Sequence, residues 1–332
     1  MRIARTLARE RIEIQHTAAP WPGPGEALIR VHTVTLCGTD LHIWEDDYAT
    51  KLPIVQGHEI AGVVETAPAG SGFHTSDHVA VSPMRSCGTC YACGIGRGNA
   101  CRASSCLGCY EDGGLAELIA VPVTDLHRVP AGMPSHLAAL AEPASIAMQA
   151  VSRGRPQRGE SALVLGCGPI GLLATLHLSS LGVDVVAADI SPERSAFARR
   201  FGAGTTLVTE ADQPLPLPGE PSLVIEATGT PAAFSAAVES VTTAGRVVLV
   251  GISDRPVTLS MRTLPTKDLD LLGSRNSQRR MGEALTLLDA HRDAAAALVT
   301  HHVPFERVAE AFPLLRSRDE LVGKVAVEVR ES

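Results

Sequence analysis

The 332-residue sequence predicts an α/β protein of two domains, one of them a doubly wound parallel sheet. A G-x-G-x-x-G run stands between an apolar strand and an apolar helix, short apolar runs alternate with helical segments after it, and a cysteine-rich loop precedes it. The length exceeds what a single hydrophobic core usually serves. Hydrophobic residues make up 45% of the chain and charged residues 20%, the composition of an ordinary globular protein. A net charge of −7 without a basic stripe argues against a nucleic-acid partner. No apolar stretch approaches the ~20 residues that cross a bilayer, so no membrane partner is expected. The first ten residues, Met1–Glu10, have no apolar core of the kind a secretory leader carries, and a cytoplasmic location is expected.

The run Ser161–Gly166 reads as a strand, and it leads into Gly166-Cys-Gly168-Pro169-Ile170-Gly171 and then an apolar helix. In that context Gly166 permits a tight turn, Gly168 lets the backbone approach a pyrophosphate, and Gly171 allows close helix–strand packing. The helix N-terminus offers free N–H groups to the phosphates. A second strand, Val183–Asp189, ends in an acid 18 residues beyond Gly171. A carboxylate there accepts hydrogen bonds from ribose hydroxyls and repels a 2′-phosphate, which favours NAD over NADP. Arg194, Thr228 and Gly251 complete the expected cofactor-binding set.

Further strands are read at Leu223–Glu226, Arg246–Gly251 and Leu269–Gly273, with helices at Pro192–Phe201 and Pro231–Val241. Their near-continuous apolar character suits parallel strands covered on both faces. The doubly wound domain is accordingly placed at residues 143–292.

The cysteine-rich loop holds Cys87, Cys90, Cys93 and Cys101 in C-x2-C-x2-C-x7-C order. Thiolates at this spacing surround one Zn²⁺ at about 2.3 Å and leave no coordination position open, which describes a structural site. Disulfide-linked or simply buried cysteines are the plainer alternative, disfavoured in a cytosolic chain. A second, mixed set lies upstream in Cys37-Gly-Thr39-Asp40-Leu-His42 and Gly57-His58-Glu59. A thiolate, an imidazole and a carboxylate are the ligands of a catalytic zinc that keeps one position for water or substrate. Each of these residues alone would pass for a packed or solvated side chain.

The chain resembles the zinc-dependent medium-chain alcohol dehydrogenases over essentially its whole length. The resemblance rests on Cys37-Gly-Thr-Asp40, Gly57–Val64, the four-cysteine lobe, Glu142-Pro143, the glycine run and Gly323-Lys-Val. It implies a GroES-like, β-rich catalytic domain at residues 1–142 and 293–332, interrupted by a Rossmann NAD-binding domain, with the active site in the cleft between them. It further implies that Cys37 and His58 bind a catalytic zinc together with Glu59 or Glu142, which can exchange. Asp40 then orients the zinc-bound histidine. Thr39 and His42 match the family's proton relay: zinc acidifies the substrate hydroxyl, its proton leaves through Thr39 and His42, and hydride passes to NAD⁺. Ser76-Asp77-His78-Val79 departs from the family's Gly-Asp-Arg-Val turn, and no function is assigned to His78. Cys106 and Cys109 form an additional C-x2-C, read as structural.

The segments 107–114, 142–146 and 273–277 look most like the branch acting on polyols and sugar acids, threonine dehydrogenases included. Arg275 and Asn276 follow the last sheet strand at its carboxyl end, where open α/β sheets place ligands. Arg275 either pairs with a substrate carboxylate or faces cofactor or solvent. An aromatic content of 3% leaves few rings to line a pocket for bulky apolar alcohols. Oxidation of a small-molecule secondary alcohol is the expected activity, with L-threonine 3-dehydrogenase and a non-catalytic NAD- and zinc-binding sensor as alternatives. A homo-oligomer is expected, a tetramer ahead of a dimer, with Arg246–Gly251 and the stretch after it supplying a pairing edge.

Overall fold

The computed structural model describes residues 1–210, 213–277, 279–317 and 321–330. The chain divides into two compact units, Met1–Glu142 with Met281–Ser332, and Pro143–Arg280.

The second unit is a six-stranded parallel sheet in the spatial order Thr205–Val208, Asp184–Asp189, Ser161–Leu165, Leu223–Glu226, Arg246–Leu249, Asp270–Gly273. Numbered along the chain this is 3-2-1-4-5-6, the order of a Rossmann sheet. The central strands are apolar and buried because helices cover both faces; Leu163, Val224 and Val248 are fully enclosed. Thr205–Val208 is a strand that the sequence pattern does not announce. Its two threonines and its place on the sheet edge leave it without the continuous apolar run that marks its neighbours. The helix expected over Pro192–Phe201 is α-helical only through Phe197. It tightens into a 3-10 turn over Ala198–Phe201 and stops at Gly202 in the left-handed region (φ 92°).

Two expectations change. Arg246–Leu249 is flanked on both sides by strands, so it is no edge; the two edges of this sheet are Thr205–Val208 and Asp270–Gly273. The second boundary falls at 280/281 rather than 292/293. Helix Met281–Ala290 buries Met281, Ala284, Leu285, Leu287 and Leu288, and it packs on strand Leu126–Arg128 and helix Ser135–Ala139 of the first unit. Helical spacing shows that such a face is buried, not what it is buried against.

The first unit is built on a sheet ordered Leu126–Arg128, His78–Val81, Glu59–Thr66, Glu26–Leu36, Lys324–Glu328, Val299–Pro304, with Leu118–Pro122 also paired to Glu26–Leu36. A smaller sheet joins Arg11–His16, Arg2–Ala8 and Ile54–Val55. Valine, isoleucine and leucine side chains such as Ile29, Val31, Val34 and Ile60 fill the space beneath the strands. Strand register sets Thr35 opposite Glu59 on one side and Ala326 on the other. Three chain segments far apart in sequence thereby meet at one point. Among the described residues no helix is long and apolar enough to cross a membrane.

Candidate active site

Cys37 ends the strand Glu26–Leu36 and caps the helix Gly38–Trp44. Its sulfur accepts from the Thr39 N–H at 3.2 Å, and Asp40 Oδ2 accepts from the Cys37 N–H at 3.0 Å. This reciprocal cap fixes both side chains at once. Asp40 Oδ1 also accepts from the Gly57 N–H at 3.2 Å, and Gln56 Nε2 donates to the Asp40 carbonyl at 2.8 Å. The helix cap and the segment that carries His58 are thus tied to one buried carboxylate. His58 Nε2 lies 3.0 Å from Cys37 Sγ, while its Nδ1 lies 3.7 Å from both Asp40 Oδ2 and Cys109 Sγ.

Glu59 is held by both oxygens. Thr35 Oγ1 donates to Oε2 and the Lys324 ammonium to Oε1, and Lys324 also reaches the Leu36 carbonyl at 3.3 Å. Asp40, Glu59 and Lys324 are no more than 2% exposed, and His58 and Glu142 are each 5% exposed. Three buried carboxylates thus share this region with one buried ammonium and one buried imidazole. Burial pushes the Cys37 thiol up, with His58 pulling against it. Burial works against charge on His58, yet Cys37 and Asp40 outweigh it and raise that imidazole well above its ordinary value. Burial also drives the Glu142 carboxyl up to about 7, opposed by His58 and reinforced by Glu59. A divalent cation that displaces the protons of Cys37 and His58 takes a thiolate, an imidazole and a carboxylate as its donors.

The donor atoms of Cys37, His58 and Glu59 all lie within 4.8 Å of one another, and Glu142 is not in that group. One sulfur, one imidazole nitrogen and one carboxylate oxygen fit zinc with a position left open. Thr39 and His42 lie three residues apart on one face of the capped helix. No direct hydrogen bond joins their side chains among the described residues. His42 is 54% exposed with its Nδ1 3.4 Å from Asp47 Oδ2.

The cysteine lobe folds around a short helix, Tyr91–Gly94, and the strand pair Met84–Arg85 and Ser105–Cys106. Its sulfurs are 3.4 Å apart for Cys87 and Cys101, 3.6 Å for Cys90 and Cys93, and 3.8 Å for Cys90 and Cys101. A tetrahedron with Zn–S arms of about 2.3 Å has edges of about 3.8 Å, so these four thiols are spaced for one zinc. All eight cysteines of the chain are free thiols. Backbone and hydroxyl donation from Thr89, with the Cys90 N–H, lowers the Cys87 thiol to about 6. Burial raises Cys93 to about 11.

In the second unit the glycine run behaves as its spacing requires. Gly166 sits at φ 96°, and a Cβ on Gly171 would meet the Gly166 carbonyl at 1.8 Å. A Cβ on Gly168 would meet nothing within 4 Å, which leaves room at the start of helix Pro169–Ser180 for a phosphate. Asp189 is already engaged: Oδ2 accepts from the Cys167 N–H at 2.7 Å and Oδ1 from the Ser191 N–H at 2.9 Å. Each oxygen keeps a lone pair for a ribose hydroxyl. Ile170 lies in the first turn of that helix, and the Arg194 N–H caps the next helix on Ser191 Oγ at 3.2 Å. Thr228 and Gly251 meet at Glu226, whose Oε1 accepts from the N–H groups of Thr228 and Gly229 at 2.7 and 2.9 Å. A Cβ on Gly251 would reach Gly229 N at 2.1 Å and Glu226 Oε2 at 2.8 Å. Arg275 is exposed and Asn276 half-buried at φ 48°; both belong to this unit, whereas the metal donors belong to the other.

Four residues of these sites receive no site role from the sequence: Gln56, Glu226, Cys109 of the additional C-x2-C, and Lys324 of Gly323-Lys-Val. Lys324 has a signal that could have been used, since it is one of only three lysines and falls in a run that is otherwise apolar. The others are revealed by contact alone.

A model described as the alcohol dehydrogenase GroES-like domain matches residues 23–131, and one described as the glucose dehydrogenase C-terminus matches residues 135–329. The chain is 34% identical to L-galactonate-5-dehydrogenase of Escherichia coli K12 over 327 residues, covering 92% of this chain and 93% of that one. It is 33% identical to L-threonine 3-dehydrogenase of Pyrococcus horikoshii over 331 residues, covering 95% of each. The solved structure of the alcohol dehydrogenase RspB from Escherichia coli CFT073, complexed with NADH, superposes with a TM-score of 0.91 at 29% identity over 99% of both chains. With the donor sets, the sheet order and these similarities in agreement, the chain belongs to the zinc-type medium-chain alcohol dehydrogenases, in the branch of the polyol, sugar-acid and threonine dehydrogenases.

Proposed function

We propose that this NAD-dependent alcohol dehydrogenase oxidises a secondary hydroxyl of a polyol or aldonate to the ketone. Cys37, His58 and Glu59 would hold a catalytic zinc, and Cys87, Cys90, Cys93 and Cys101 a structural one. The observation that carries this reading is the convergence of a thiol, an imidazole and a carboxylate, Cys37, His58 and Glu59, within 4.8 Å of one another. When bound, zinc acidifies the substrate hydroxyl and NAD⁺ takes up the hydride.

The chain's own residues supply the rest. Asp40 fixes Cys37 and the His58 segment, which keeps the donors in place through turnover. Lys324 and Thr35 hold Glu59, while Glu142, whose carboxyl burial pushes up to about 7, is the second carboxyl that would serve in its place. The Thr39 hydroxyl receives the substrate proton and His42, which is exposed, passes it to water. Gly168 and the first turn of helix Pro169–Ser180 receive the pyrophosphate, and Asp189 with the Thr228–Gly251 turn flanks the nucleotide. A polyol suits such a site because neighbouring hydroxyls give the metal a second oxygen. L-Threonine is the second reading, favoured by the Pyrococcus relative.

A screen of polyols, aldonates and L-threonine, followed by NADH absorbance, tests both. Turnover of a polyol or aldonate with little on L-threonine is expected. L-Threonine as the best substrate would replace the first reading with the second, and no turnover on any secondary alcohol by zinc-replete protein would overturn both.

A further inference from the structure

We propose that His136, His302 and Glu328 form a third metal site, separate from both cysteine-bearing sites, that takes a divalent transition cation of the zinc type in exchange with solvent. Their donor atoms all lie within 4.8 Å of one another. They come from three elements of the first unit: helix Ser135–Ala139, strand Val299–Pro304 and the end of strand Lys324–Glu328. The last two strands pair in parallel with Pro304 opposite Glu328, which brings His302 beside that carboxylate.

His302 Nδ1 is 2.9 Å from Glu328 Oε1, and Glu328 Oε2 accepts from Thr33 Oγ1 at 2.6 Å. The His136 and His302 rings meet edge to face at 5.1 Å. An ordinary ion pair accounts for His302 and Glu328, but it does not account for a second imidazole brought to the same point. The Thr33 hydroxyl orients the carboxylate, the kind of outer support that metal-binding carboxylates have.

Two imidazoles and one carboxylate, with a fourth position open, match the borderline preference of Zn²⁺ and its neighbours. Mg²⁺ and Ca²⁺ prefer all-oxygen surroundings. The His302 and Glu328 side chains are 48% and 26% exposed, so an ion can enter from solvent without unfolding the chain. A cation bound here would tie the helix Ser135–Ala139 to the two C-terminal strands, and it would stabilise the native state by mass action.

The test is calorimetric titration of untagged holoenzyme, dialysed so that only tightly held metal remains, with Zn²⁺ and separately with Mg²⁺. Wild type should take up one further Zn²⁺ with micromolar affinity and no Mg²⁺, and its melting temperature should rise as Zn²⁺ is added. His302→Ala and His136→Gln, on different elements, should each lose that uptake and that rise while melting like wild type without added zinc. Equal Zn²⁺ uptake by wild type and both variants would overturn the proposal, as would no further uptake by wild type.

Discussion

The two cysteine-bearing sites of the first unit differ in what surrounds the sulfur. In the lobe, Cys87 is exposed, Cys90 and Cys93 are half-buried, and the neighbours of the thiols are other thiols and backbone N–H groups. Around Cys37 the neighbours are charged and enclosed: Asp40, His58, Glu59 and Lys324. A closed thiolate shell needs only a loop of the right spacing. An open mixed site needs counter-charges and oriented donors, and those arrive on separate strands. Spacing along the chain builds the four-thiol set; strand register builds the mixed one.

The largest expected effect separates the two sites by activity. Cys37→Ser and His58→Ala should reduce turnover to background while NADH binding, followed by fluorescence, stays close to wild type, because the residues proposed to hold the nucleotide belong to the other unit. Parallel loss of NADH affinity would break the distinction. Next comes Lys324→Met, which leaves Glu59 without its buried partner and should cost about 3 kcal/mol in urea unfolding. Adding Glu59→Gln should recover part of that loss; no recovery would mean that the ammonium serves packing alone.

Cys101→Ser in the lobe should lower the melting temperature by about 5 °C or more, with kcat of the folded fraction unchanged. A selective fall in kcat would make the lobe more than a staple. The smallest effect is one of pH. Burial lowers the imidazoles of His32, His78 and His127 below their ordinary 6.5, so each binds a proton more readily in the unfolded chain. These three histidines should therefore contribute nothing to the pH dependence above about 6.5 and cost stability as pH falls below it, while His58 and Glu142, shifted upward, act in the opposite sense. The fall in melting temperature from pH 7 to pH 5 should be smaller in the variant His32→Asn, His78→Asn, His127→Asn than in wild type, and an equal or larger fall would contradict this.

The same contrast explains what could be read from the sequence. The lobe and the glycine turn are contiguous, so residue type and spacing carry their geometry directly, down to the sulfur separations and the Gly171–Gly166 approach. The Glu59–Lys324 pair joins residues far apart in the chain through two strand pairings, and no local pattern encodes it. Cys109 reads as a spare thiol beside a zinc lobe, yet it touches His58 on the ring edge opposite Cys37. Glu226 reads as the end of a strand, and it is the acceptor that shapes the Thr228–Gly229 turn. Helix Met281–Ala290 shows the limit of periodicity from the other direction. Its apolar face is plain, but only the structure tells which unit covers it.

The central claim is that the two sites hold one zinc each, with chemistry at one and scaffolding at the other. Metal analysis of freshly purified, dialysed protein before and after mild chelation tests it most directly, with turnover and melting followed on the same samples. The account predicts two tightly held zinc ions per chain, of which chelation removes one together with all turnover while the melting transition survives. One ion or none at the outset, or loss of both in a single step with unfolding, would contradict it.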